Sequence, residues 1–229
     1  MKRVNDVFDK SFTEESALYD DVLTGKYWFY RLYNRLFWGE DDSLASADEV
    51  LAMLPEDFSG TLLDVPAGTG VFTAEKYLRL KSARIECVDY SKAMLGRYKN
   101  RVRDEDARHI RFSRGDVGCL HFDDEVFDIV LSMNGYHCFP EKEKALREIC
   151  RVTKRGGRFV GCAYVKGVSA RTDFLVKQIY DRKGFFVPPH ETAEAFERHL
   201  KRRFTVDRYV LINSAACFAC RRPDRGRPP

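Results

Sequence analysis

The chain has 229 residues, 44% hydrophobic and 13% aromatic, which suits one α/β unit with a sizeable core. No apolar run approaches the roughly 20 residues needed to cross a bilayer, which excludes a spanning helix. The net charge of +4 divides into +3 on the tail from Arg221 (Arg221, Arg222, Arg225 and Arg227 against Asp224) and +1 on the body, too little for the basic stripe of a nucleic-acid binder.

No signal peptide is expected, because Met1-Lys2-Arg3 runs into Asn5, Asp6 and Asp9 rather than an apolar stretch. About sixty residues of mainly helical pattern come first. Phe29, Leu32, Tyr33, Leu36 and Phe37 fall at i, i+3, i+4, i+7 and i+8, one face of a helix. A stripe so rich in aromatics is expected to be covered by the sheet domain, and one or two residues between Tyr27 and Trp38 are expected to roof an active site. Thr61–Val65 then reads as a short buried strand ending in a turn, and Val71–Leu80 as a helix. Ala83–Val88 is a second strand, with Ser91 placed to cap the helix through Met94 and Leu95. Ile110–Ser113 and Phe127–Ser132 are the third and fourth strands. A helix from Glu141 to Thr153 is closed by Lys154, Arg155 and Gly156, and Gly157–Tyr164 is a fifth strand. A helix near Ala193–Leu200 precedes two strands, Thr205–Ile212 and Ala215–Cys220, too close in sequence for a crossover and so an antiparallel hairpin. Alternation of this kind predicts a doubly wound, mostly parallel α/β sheet of seven strands. The expected divisions are a helical segment or lid over 1–58, a body over 59–221 and a disordered tail over 222–229.

Seven scattered cysteines suit a reducing, cytoplasmic setting better than a disulfide framework. Cys217 and Cys220 have CxxC spacing but sit in an apolar strand with no second pair, so they read as core and no metal site is expected.

The chemistry concentrates in Leu62-Leu63-Asp64-Val65-Pro66-Ala67-Gly68-Thr69-Gly70, a strand running into a glycine turn that opens a helix. A P-loop needs Lys after its last glycine, and Val71 stands there. A dinucleotide fingerprint needs a third small residue where Thr73 stands. A cofactor without a pyrophosphate asks only for the close backbone approach that Gly68 and Gly70 permit. Nineteen residues beyond Gly70, Asp89 ends the second strand, where a carboxylate can accept both hydroxyls of a ribose. Asp116 follows Gly115 just after the third strand; alone it reads as a turn residue, and in series it can accept from an adenine amine.

The run from Gly115 to Ser132 resembles the stretch of class I S-adenosylmethionine-dependent methyltransferases that joins the adenine turn to the fourth strand. Tyr136-His137-Cys138-Phe139 and Glu148 to Gly157 are similar to that family's next two segments. The likeness covers about residues 60–165 and points to the small-molecule, type 11-like branch, with its Rossmann-like sheet, C-terminal antiparallel hairpin and N-terminal helical lid. It departs at Pro66, which stands for the first glycine of the loop, at His121, where proline is common, and at Thr153 and Arg155. The resemblance implies S-adenosylmethionine as cofactor. Asp64, Ala67, Gly68 and Gly70 would hold its methionine part, Asp89 its ribose, and Tyr90 and Met94 would flank the adenine read by Asp116 and Val117. Ser132 and Met133 would lie under the sulfonium.

Transfer of the methyl group calls mainly for alignment and exclusion of water. His137, after the fourth strand, is the candidate base, with packing an equal alternative. Tyr19, Tyr27, Tyr33, Trp38 and Tyr136 are candidates for the acceptor pocket. The expected partner is a small-molecule acceptor, with neither membrane nor nucleic acid. Alternatives are an RNA or protein methyltransferase, although Met133-Asn134-Gly135-Tyr136 replaces an Asn-Pro-Pro-Tyr type motif, a non-catalytic cofactor-binding module and, more remotely, a nicotinamide oxidoreductase.

Overall fold

The computed structural model describes residues 16–39, 44–103 and 107–224. Seven strands form one sheet in the order β3-β2-β1-β4-β5-β7-β6. These are β1 (Thr61–Asp64), β2 (Arg84–Asp89), β3 (Ile110–Arg114), β4 (Phe127–Met133), β5 (Thr153–Tyr164), β6 (Thr205–Ile212) and β7 (Ala215–Arg221). β1 to β5 pair in parallel, and β7 pairs antiparallel with both β5 and β6. The chain lays down β1, β2 and β3 outward, then returns to place β4 on the other side of β1. That reversal is the switch point beside which open α/β sheets hold ligands.

Side chains alternate between two cores because successive strand residues face opposite ways. Leu62, Ile85, Ile129, Leu131 and Val160 pack on one face, with Tyr77 of α4 (Ala74–Arg79), Tyr98 of α5 (Lys92–Arg101) and Val50 of α3 (Leu44–Ala52). Leu63, Val88, Val130 and Phe159 pack on the other, with Leu146 and Ile149 of α6 (Lys142–Val152) and Phe196 and Leu200 of α9 (Ala193–Lys201). Ser91 caps α5 as the sequence indicates, its hydroxyl accepting from the Met94 amide at 3.3 Å.

Three local readings are corrected. β5 begins at Thr153, so Lys154, Arg155 and Gly156 lie in the strand rather than closing α6. A register shift between Phe127 and Ile129 accommodates them, with Gly156 at φ +70. The stretch after β5, unassigned from sequence, holds α7 (Ala170–Leu175), a π-helical turn (Val176–Tyr180) and α8 (Asp181–Lys183). The wider turn breaks the 3.6-residue phase that pattern reading relies on.

The third correction concerns the aromatic stripe, of which Tyr33 and Phe37 turn inward while the rest stays exposed. Among the described residues, α1 (Ser16–Leu23) and α2 (Trp28–Phe37) come before α3. Phe29, Leu32 and Leu36 are each about half exposed and Trp28 is 76% exposed. The face turned inward carries Tyr33, Phe37 and buried Asn34, whose Nδ2 donates to the Val22 carbonyl at 2.7 Å. A polar anchor, not the stripe, sets the orientation of α2. Of the expected divisions, 1–15 and 225–229 lie outside the described residues, and Arg222 is tied to the sheet through the Gly157 carbonyl at 2.8 Å.

Candidate active site

A cleft of about 1090 Å³, its open mouth included, lies over the carboxyl ends of β1, β2 and β4. Asp64, Ala67, Gly68, Gly70, Asp89, Tyr90, Met94, Asp116, Val117 and Met133 all line it, so the structure brings ten expected cofactor residues together. Ser132 does not reach the lining. It is buried, its hydroxyl lacks a partner, and it lies under the Asn134–Gly135 turn.

The turn after β1 is built by two glycines with different duties. Both have positive φ, +59 at Gly68 and +69 at Gly70. A Cβ on Gly70 would meet the Tyr98 ring at 2.4 Å, whereas one on Gly68 would point into open space. Gly70 therefore lets the turn pack on α5, and Gly68 keeps the cleft clear. Pro66 at the loop entry is packed by Gly135, where a Cβ would come within 2.2 Å of the proline ring.

Three acids are spaced along the cleft. Asp64 is 1% exposed and its Oδ2 has no hydrogen-bond partner. Burial, reinforced by the charge of Asp89, pushes its carboxyl up to about 8 despite help from Tyr77. Such a group is neutral at pH 7 unless a cation arrives, which is the fit expected for an amino-acid ammonium. Asp89 is tied to the loop it faces: Oδ2 accepts the Gly68 amide and Oδ1 the Ser91 amide, each at 2.8 Å. Asp116 accepts the Gly118 amide at 2.8 Å, so it shapes its turn while lining the cleft.

The remaining candidates scatter. His137 does not line the cleft; it is buried in the 3₁₀ turn Tyr136–Cys138. Its Nδ1 accepts the Tyr164 amide at 3.0 Å, and burial, with His190 and Lys142 nearby, drives its imidazole down to about 3. A ring so engaged packs and does not collect protons. Tyr136 is buried away from the cleft lining, its ring tilted against Phe196 at 4.5 Å and bonded to His199 and Glu191. Tyr27 is exposed, and the side chain of Tyr19 lies outside the described residues. Trp38 and Tyr33 instead join a cluster past the ends of β4 and β5. The Trp38 ring meets Tyr164, Tyr180 and Phe186 at 6.2, 5.8 and 6.3 Å, and the Tyr33 hydroxyl lies 3.1 Å from that of Tyr180.

Sequence reasoning missed a second imidazole in this cluster. His190 Nε2 donates to Asp181 Oδ1 at 2.8 Å, and its buried Nδ1 has no partner. The pair joins α8 to the loop before α9, and no spacing in the sequence announces it. Asn134, Cys138, Phe139 and Pro140 also line the cleft unforeseen. For Asn134 the signal was the Asn-Gly pair ending β4, which favours the positive φ of 55 observed.

Fold and cleft together define an α/β domain that holds an adenosine-type cofactor at its switch point. The methyltransferase-domain family matches residues 62–157. The chain is 30% identical over 191 residues to the ubiquinone/menaquinone biosynthesis C-methyltransferase UbiE of Azotobacter vinelandii, covering 82% of this chain and 67% of the relative. It is 33% identical over 130 residues to the same-named protein of Idiomarina loihiensis, covering 56% and 50%. Geranyl diphosphate C-methyltransferase from Streptomyces coelicolor shares the fold, with a TM-score of 0.64, 16% identity and 79% of each chain covered. The chain belongs to the class I S-adenosylmethionine-dependent methyltransferase superfamily. It spans about half the length of several curated relatives it matches.

Proposed function

We propose that this protein transfers a methyl group from S-adenosylmethionine to a small-molecule acceptor by in-line displacement. One observation carries the reading: an orphaned buried carboxyl, a glycine turn with open space above it and two further acids share one cleft. In this reading Asp64 receives the ammonium of the methionine part, beside Ala67, Gly68 and Gly70. Asp89 accepts the ribose hydroxyls while holding the loop by Gly68. Asp116 and the Val117 amide read the adenine edge, flanked by Tyr90 and Met94, and Met133 underlies the reacting end. The cofactor supplies an electrophilic methyl carbon on a good leaving group. Alignment and dryness are the protein's share, and positioning of this kind can contribute roughly 7–11 kcal/mol.

The acceptor side is the aromatic cluster of Trp38, Tyr164, Tyr180 and Phe186, joined to the cleft by the turn that places Cys138 on the lining and His137 in the cluster. Flat aromatic walls favour a small, largely apolar acceptor. Relatives named for quinone biosynthesis and a structural neighbour named for geranyl diphosphate support that class. Where the acceptor atom must lose a proton, His190 is the base: Asp181 fixes its tautomer, leaving the Nδ1 lone pair available. His190→Ala is expected to lower kcat by about 10²-fold with cofactor affinity unchanged. Of the segment before a body spanning 59–221, α1 is read as the lid, with Leu23 on the cleft lining, and cysteines held in no disulfide fit a cytoplasmic setting.

The test is a labelled methyl-donor screen against metabolite, RNA and protein pools. Label in a small apolar product supports the reading; label in RNA or protein, or in nothing, refutes it.

A further inference from the structure

Nine large apolar side chains are exposed among the described residues, and eight belong to two neighbouring elements. Tyr27, Trp28, Phe29, Leu32 and Leu36 lie at or on α2; Val168, Phe174 and Ile179 lie at or on the helix formed by α7 and its π turn. The two elements touch: the Thr172 hydroxyl donates to the Phe37 carbonyl, and Tyr33 meets Tyr180. An apolar concentration of this sort on a folded domain marks a binding surface.

Charge tells what it binds. Arg31, Lys166, Arg171, Lys177, Arg182 and Lys183 are all exposed on or beside the same elements. Among the described residues of these elements the acids are Asp173 and Asp181, and both turn inward, Asp173 onto the Tyr164 hydroxyl at 2.7 Å and Asp181 onto His190 at 2.8 Å. Among the described residues of these elements the cations exceed the acids by four, as many as the net +4 of the whole chain. A second copy of this chain would bring cations against cations. An anionic lipid headgroup layer complements them, and its acyl boundary accepts Trp, Phe and Leu side chains to shallow depth. No described helix is long and apolar enough to span a membrane, but lying on one is a separate requirement.

We propose that the joined faces of α2 and the α7–π–α8 helix dock this protein on an anionic bilayer surface. The reading is independent of the methyl-transfer proposal and holds whether or not the cleft is filled. It is tested by co-sedimentation of the full chain with vesicles of phosphatidylcholine, with and without phosphatidylglycerol. Binding to the anionic vesicles alone is expected, weakened at least about tenfold by Trp28→Ser/Leu32→Ser/Phe174→Ser or by Lys177→Glu/Arg182→Glu, and weakened by salt. Because all five positions are exposed, unchanged circular dichroism should accompany the loss. In Trp38→Phe, which leaves Trp28 as the only tryptophan, emission should shift to the blue on these vesicles and be readily quenched by iodide without them. Absence of sedimentation, equal binding to neutral vesicles or full binding by the variants overturns the proposal. So does a dimer in light scattering that the triple serine variant dissociates, which would make a second copy the occupant. Trp28 shielded from iodide in a vesicle-free monomer would assign the cover to residues 1–15 and equally overturn it.

Discussion

Gly68 and Gly70 stand two residues apart and should fail differently on substitution. Gly70→Ala drives a methyl into the Tyr98 ring at a left-handed backbone position, so stability should fall by about 2 kcal/mol or more. Gly68→Ala bears only the backbone penalty of about 1–2 kcal/mol but projects into the cleft, so it should lose cofactor affinity disproportionately. Thermal melts beside cofactor titrations separate the two, and identical profiles would contradict this division of labour. Asp64 gives a pH signature. Its carboxyl rises from the ordinary 3.8 to about 8 in the folded chain, so the folded state holds the proton more tightly than the unfolded one. Stability should therefore fall as pH climbs from about 4 to about 8. Asp64→Asn should flatten that slope and melt above the wild type at pH 8, by about 1–3 kcal/mol, with the gap closing near pH 5. If an ammonium seats against Asp64, binding at pH 7 should also release a proton, read as buffer-dependent heat that Asp64→Asn abolishes.

At the scale of elements, α1 is tied across the cofactor turn. Asp20 accepts from the Thr69 hydroxyl at 2.5 Å and pairs with Arg101, while Leu23 lines the cleft. Asp20→Ala should release this strap without unfolding the sheet. Losing about 1 kcal/mol of local anchoring should speed proteolysis within 16–39 about fivefold, and added cofactor should slow it again. An unchanged cleavage rate would show that the helix is held elsewhere. The strap was invisible in the sequence because Asp20 and Arg101 are 81 residues apart and neither belongs to a motif. The stripe on α2 misled for a related reason. Helical spacing says that one face is apolar but not what lies against it, and here Asn34 and Thr172 fix the helix with Phe29, Leu32 and Leu36 outward and only Tyr33 and Phe37 turned in.

Across the whole molecule, legibility follows how local the determinant is. The strand–turn–helix at Asp64–Gly70, the acid nineteen residues on and the Gly115-Asp116 turn are short, ordered signals, and the structure gathers them into one cleft. The parallel pairing and the terminal antiparallel hairpin follow from the same alternation of strands and helices. The aromatic cluster proposed as the acceptor side joins Trp38, Tyr164, Tyr180, Phe186 and His190 from three distant stretches, one interrupted by a π turn, so no single pattern contained it. His137, the more conspicuous histidine in the sequence, proved a packed one.

The central claim is that this cleft holds the adenosyl cofactor through its acids, and calorimetry tests it most directly. Titrating the wild type, Asp89→Ala and the exposed control Asp123→Ala with S-adenosylhomocysteine should give clear binding by the wild type and by Asp123→Ala. Asp89→Ala should bind more weakly by ~1.5–3 kcal/mol for each lost charge-assisted bond. Equal affinities for the two variants, or heat with NAD and none with the adenosyl ligand, would contradict the account.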